Sequence, residues 1–107
     1  MFNTIKITDH AKTAQLEIAD HLEMLGYSIT LEYPIKYNSR DGRIDIVANG
    51  EKHLAIEVDR STPRKKSFEK LLKYQSMHSD AELIILLRGE RKPYIENGVA
   101  VIGVKKC

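Results

Sequence analysis

Three carboxylates between Gly42 and Asp59 have the types and spacing for chemistry: Asp45, Glu57 and Asp59. Two β-branched runs, Arg43 to Ala48 and Lys52 to Asp59, flank Asn49-Gly50, which signals a hairpin. A two-residue turn sets Asp45 across from Leu54 and mixes polar with apolar residues on both faces. A three-residue Asn49-Gly50-Glu51 loop sets Asp45 across from Ala55 and gathers Ile44, Ile46, Leu54, Ile56 and Val58 on one face. Asp45, Glu57 and Asp59 then share the other face, with the first two as diagonal neighbours, alpha carbons about 7–8 Å apart. Such carboxylates repel each other unless a cation lies between them. All-oxygen ligands suit a hard ion such as Mg²⁺ or Mn²⁺. The plainer alternative is a solvated strand face with Arg43 opposite Glu57 as an ion pair.

Positioning these side chains requires a sheet with cover. Asp9 to Leu25 reads as a helix, with Ala11, Ala14, Ile18, Leu22 and Leu25 at helical spacing, Thr8 or Asp9 as cap and Gly26 as stop. Tyr27 to Tyr37 reads as a strand, Pro34 marking an edge or bulge, and Asn38 to Gly42 as a polar loop. Ser61-Thr62-Pro63 opens a second helix that runs to about Met77, with Phe68, Leu71, Leu72 and Gln75 facing inward. Glu82 to Leu87 is an apolar run of the kind covered on both faces, Arg88 to Pro93 a basic loop, and Val99 to Val104 a last strand. The order α-β-β-β-α-β-β implies an α/β fold: a single mixed β-sheet flanked by helices.

The 107 residues form one domain spanning 1–107, and 42% hydrophobic with 30% charged residues excludes a disordered chain. A net charge of +2 does not mark a general polyanion binder. Between Arg60 and Lys73, however, Arg64, Lys65, Lys66 and Lys70 add to a local basic face opposed only by Glu69. The lone Cys107 rules out an intramolecular disulfide and a thiolate metal cluster, and fits a cytoplasmic setting. No apolar run is long enough for a bilayer, so no membrane partner is expected. His53 and His78 read as surface residues. Walker, Ser-His-Asp, zinc and dinucleotide motifs are absent from the sequence.

Asp45, the apolar hairpin and Glu57-Val58-Asp59 together resemble the PD-(D/E)XK nuclease superfamily, whose signature is an Asp near the start of one strand and Glu-x-Lys on the next. The element order is similar to that family's αβββαβ core over most of the chain, and size and layout resemble its compact junction resolvases. The resemblance implies a restriction-endonuclease-like core and Mg²⁺- or Mn²⁺-dependent hydrolysis of DNA phosphodiester bonds, carried out by a homodimer. It makes Asp45, Glu57 and, on the first helix, Glu17 the expected metal ligands. The departure is Asp59, which stands where the family has lysine. Asp59 would act as base or water-positioning group, or a lysine of the second helix would replace the missing one. Helical angles favour Lys65 for that role, then Lys66, and turn Lys70 away. Ser39, Arg40, Arg43, Arg64, Lys66 and Lys70 are expected to touch nucleic-acid backbone. Asp59 also leaves open a non-catalytic nucleic-acid-binding module, or an assembly subunit of the same fold.

Overall fold

The computed structural model describes residues 1–107. β1 (Lys6–Ile7) precedes α1 (Ala11–Met24), and β2 (Ser28–Tyr37), β3 (Arg40–Asn49) and β4 (His53–Asp59) follow as an antiparallel meander. α2 (Lys65–Met77) crosses to β5 (Glu82–Arg88), and β6 (Tyr94–Glu96) and β7 (Val99–Lys106) complete the chain. The strands form one mixed seven-stranded sheet in the order β1-β7-β5-β4-β3-β2, with β6 paired to β7. β4, β5 and β7 run parallel, so their carboxyl ends lie together. All elements expected from the sequence occur in order; β1 and β6 are additions too short for a periodicity to reveal.

The two helices cover opposite faces. Ala14, Ile18 and Leu22 of α1 join a core with Ile46, Leu54, Ile56 and Leu86, while Phe68, Leu71 and Tyr74 of α2 pack with Val47, Ala55, Leu83 and Ile85. Each such aliphatic burial contributes about 1.5–3 kcal/mol. Cover on both sides explains the unbroken apolar run of β5, which lies between β4 and β7. No helix is long and apolar enough to cross a membrane.

Several boundaries differ from the sequence reading. The β3–β4 loop is Gly50-Glu51-Lys52, with Asn49 opposite His53 and Ile46 opposite Ile56. This shifts the expected register by two residues, so the faces of Ile46, Leu54, Ile56 and Val58 are kept. Ile44 instead packs on the α2 side. The reason is a break in the β2–β3 ladder: Leu31 pairs with Ile46 and Tyr33 with Ile44, but Glu32, at φ 53°, and Asp45 form no regular pair. Both strands change sides there, whereas Pro34 makes no bulge: it pairs with Arg43 on β2, which is the edge strand of the sheet, as expected. The polar loop shrinks to the turn Asn38-Ser39, whose residues have φ 47° and 60°. That is the backbone of a tight hairpin turn.

α1 is capped by His10, which accepts from the Thr13 N–H, rather than by Thr8 or Asp9. α2 begins at Lys65, after the Ser61-Thr62-Pro63 segment. Its buried residues are Ser67, Phe68, Lys70, Leu71 and Tyr74, while Leu72 is 38% exposed. The helix is thus rotated from the expected face so that Lys70 and Tyr74 turn inward and Leu72 turns out. Tyr74, a large side chain with a polar tip, takes a central place on that face.

Gly42 is where this helix packing meets the β2–β3 hairpin. A Cβ there would stand 2.6 Å from Cε1 of the buried Tyr37 and 3.4 Å from Cδ of Lys70. Gly42→Ala is therefore expected to cost about 1–3 kcal/mol, read as a lower urea midpoint with an unchanged m-value. An unchanged midpoint would contradict the tight seating of Tyr37 and Lys70.

Candidate active site

Past the Ile46–Ile56 pair the β3–β4 ladder ends, and side chains take over its hydrogen bonds. The Asp45 N–H donates to Glu57 Oε2 at 2.8 Å, and the Val58 N–H donates to Asp45 Oδ2 at 2.7 Å. Each carboxylate thereby holds the other strand's backbone, and the two acids are brought side by side. The side chain of Glu57 is fully buried, 0% exposed.

A buried carboxylate needs a cation, and α2 supplies it. Lys70 forms an ion pair with Glu57 Oε1 and donates to the Arg43 carbonyl at 2.8 Å. Its side chain is only 11% exposed. Glu57 Oε1 accepts no well-aligned hydrogen bond, so that oxygen is held by charge alone. Lys70 thus fills the place expected for Lys65, because the actual phase of α2 turns Lys70 inward. Lys65 is exposed and lines a groove with Pro63, Phe68, Leu72 and Asn97, and Lys66 is exposed as well.

Asp59 has a different task from the one expected. Its buried carboxylate accepts from the Arg64 N–H at 2.9 Å, Arg64 Nε at 3.0 Å and Ser67 Oγ at 2.9 Å. Three donors make it the anchor of the α2 amino end, which sets the helix phase that delivers Lys70. Arg64 is committed to the same contact. Glu17 is also engaged elsewhere, accepting from the Thr8 N–H at 2.8 Å and Thr8 Oγ1 at 3.3 Å. The α1 residue that reaches the pair is Gln15, whose Nε2 donates to the Asp45 carbonyl at 3.1 Å. No ion pair joins Arg43 to Glu57; Arg43 is exposed on β3, and Ser39 and Arg40 are exposed at the β2–β3 turn.

Electrostatics follow from burial. Desolvation raises the Glu57 carboxyl, and the Asp45 charge adds to it; Lys70 and the Asp45 N–H oppose them. The result is pushed up to about 7 from an ordinary 4.5. Asp45 is also raised, chiefly by desolvation, with the Val58 N–H and Lys70 opposing and the Glu32 and Asp59 charges adding. Glu32, unpaired at the same break in the ladder, is near enough to add its charge, which its type and spacing did not reveal.

At the amino end of β4, His53 is not a free surface residue. Its Nδ1 contacts Asp80 Oδ1 at 3.1 Å and its Nε2 meets the buried Tyr74 hydroxyl at 2.6 Å, while His78 stacks on the Tyr74 ring. This cluster locks the end of α2 to the sheet.

No group of three or more His, Cys, Asp or Glu side chains is arranged to hold a metal. Two protein carboxylates are nonetheless a usual complement for Mg²⁺, which keeps waters and takes substrate phosphate oxygens. Glu57 and the adjacent Asp45 are two such carboxylates, but Glu57 Oε1 is occupied by the Lys70 ammonium, and Glu17 is not part of the set. No protein-family model matches the chain, and no curated protein matches it.

A carboxyl whose value is raised in the folded state contributes stability below its unfolded value and loses it as pH rises through the folded one. Between about pH 5 and about pH 8, the wild type is expected to lose on the order of 2 kcal/mol relative to Glu57→Gln. Urea denaturation across that range measures it; parallel profiles would contradict a Glu57 carboxyl whose desolvation and Asp45 repulsion outweigh its pairing with Lys70.

Proposed function

We propose that the protein is a Mg²⁺- or Mn²⁺-dependent endonuclease that hydrolyses DNA phosphodiester bonds. The observation that carries this reading is the buried Glu57 beside the half-buried Asp45, with the Lys70 ammonium on Glu57 Oε1. The meander β2-β3-β4, the crossover through α2 and the parallel β5 support a restriction-endonuclease-like core. Lys70 supports the relocated-lysine form of the PD-(D/E)XK pattern.

In this reading Asp45 and Glu57 hold the divalent ion. When bound, that ion polarises a phosphate and acidifies a water. Lys70, which holds Glu57 Oε1 in the free protein, would place its ammonium against the negative charge that develops on the phosphate. Asp59 takes no part in proton transfer; it fixes α2 and, through it, Lys70. Gln15 fixes the Asp45 backbone. The exposed Arg40, Arg43 and Lys66 supply charge for the DNA backbone. The reading includes a cytoplasmic homodimer: one small domain offers limited surface, and Ile95 is 77% exposed near Gln75 of α2.

Full burial of the Glu57 side chain favours a second reading, a nucleic-acid-binding module in which Lys70 and Glu57 are a structural pair. Cleavage of linear, single-stranded and four-way-junction DNA with Mg²⁺ or Mn²⁺ separates the two. Asp45→Asn, Glu57→Gln and Lys70→Met are each expected to lower the rate by about 10²–10³-fold, while Glu17→Gln and Lys65→Ala retain it. Equal rates in all variants would remove the mechanism, and binding without cleavage by the wild type would select the module.

A further inference from the structure

The carboxyl ends of the parallel strands carry a second charged cluster, which the proposed chemistry does not use. Arg88 ends β5 and Lys106 ends β7. Arg88 alternates in step with Ile84 and Leu86, and Lys106 with Ile102 and Val104, all of which pack on the α1 side. Both cations therefore leave the sheet toward α1, where they converge on one carboxylate. Arg88 Nη1 stands 3.6 Å from Asp9 Oδ1, and Lys106 Nζ stands 3.3 Å from Asp9 Oδ2. Both distances exceed the roughly 2.7–2.9 Å of a good charge-assisted hydrogen bond.

The Arg88 side chain is only 11% exposed, and its Nε is buried with no hydrogen-bond partner. A buried guanidinium with an unmet donor is costly unless an acceptor meets it. Two cations share one loosely held carboxylate, and the first turn of α1 adds no acid. Each Asp9 oxygen faces one cation and neither meets Arg88 Nε, so the cluster is one acceptor short. A phosphodiester has two free oxygens, which match the fork of Nε and Nη.

We propose that Arg88 and Lys106 bind a backbone phosphate of the DNA, and that Asp9 is the exchangeable carboxylate occupying their site in the free protein. The identity of the polyanion rests on the nuclease reading. Glu57 pairs with Ile85, three residues before Arg88. The receptor thus lies about 10 Å along the strand, and one strand spacing of about 4.8 Å across, from the level of Glu57. It opens on the α1 side of the sheet, whereas Glu57 and Lys70 meet on the α2 side, so a DNA that touches both passes around the carboxyl ends of the strands.

The test is fluorescence anisotropy with a duplex of about 20 base pairs in EDTA, so that cleavage does not enter, over about 50–200 mM salt. Lys106→Ala and Arg88→Gln are each expected to weaken binding about fivefold and to reduce the salt slope by about 1. Asp9→Asn is expected to tighten binding with the slope of the wild type or steeper. Asp9 and Lys106 have half-exposed side chains, so these two variants report even where Arg88→Gln fails to fold. Unchanged binding and slope in both would overturn the proposal, as would a wild type that binds no duplex. Inorganic phosphate displacing the duplex at low concentration, more strongly in Asp9→Asn, would assign the receptor to a free anion and overturn the backbone assignment. Loss of these responses is distinct from failure of the nuclease reading: salt-slope changes without any cleavage keep the receptor and remove the nuclease.

Discussion

Burying the Glu57 carboxylate beside Asp45 is the requirement around which the rest of the structure is arranged. Breaking a buried ion pair by removing one partner costs about 3–5 kcal/mol, because the remaining charge is left without water or counterion. Lys70 must therefore arrive, and its arrival depends on the phase of α2. Asp59, gripping Arg64 and Ser67, sets that phase at one end. Tyr74, His53 and Asp80 set it at the other. Gly42, lacking a Cβ, leaves room for the Tyr37 ring and lies against the lysine stem. Two acids that would unravel an ordinary ladder instead replace its missing hydrogen bonds.

Much of this is legible in the sequence because a strongly segregated hairpin leaves few choices. The faces of Ile46, Leu54, Ile56 and Val58 follow from the pattern even with the register off by two residues, since a shift of two preserves strand parity. The face of Glu57 follows from that parity, whereas Asp45 sits at the break in the ladder and meets Glu57 through backbone hydrogen bonds. Helix phase is less legible, and the reason is chemical. Counting only aliphatic residues and Phe68 as core points α2 toward Leu72, whereas Tyr74 buries a ring and satisfies its hydroxyl on His53. Counting Ser67, Leu71 and Tyr74 as one stripe places Lys70 on the inner flank. The ladder break at Glu32 leaves no such trace, because a non-glycine residue at φ 53° carries no sequence mark.

Asp59 illustrates how residue type alone misleads. It stands at the motif position where the resemblance expects a lysine, which invites a catalytic role. Three hydrogen-bond donors instead commit it to the helix amino end. The exchange of positions is coherent: an acid at the strand end anchors the helix, and the helix returns a lysine to the acid two residues earlier. Charge is likewise separated in space. The net +2 combines acids gathered between β3 and β4 with cations at the carboxyl ends of β5 and β7.

The proposed function requires Glu57 and Asp45 to be a desolvated pair that can trade the Lys70 ammonium for a divalent ion. The most direct measurement is a carbon-13 NMR titration of the Glu57 side-chain carboxyl with and without Mg²⁺. A midpoint near about 7 is expected in the absence of the ion, and a clear fall when Mg²⁺ is added, because a bound cation favours the ionised form. A midpoint at the ordinary glutamate value, or one that Mg²⁺ leaves in place, would contradict it.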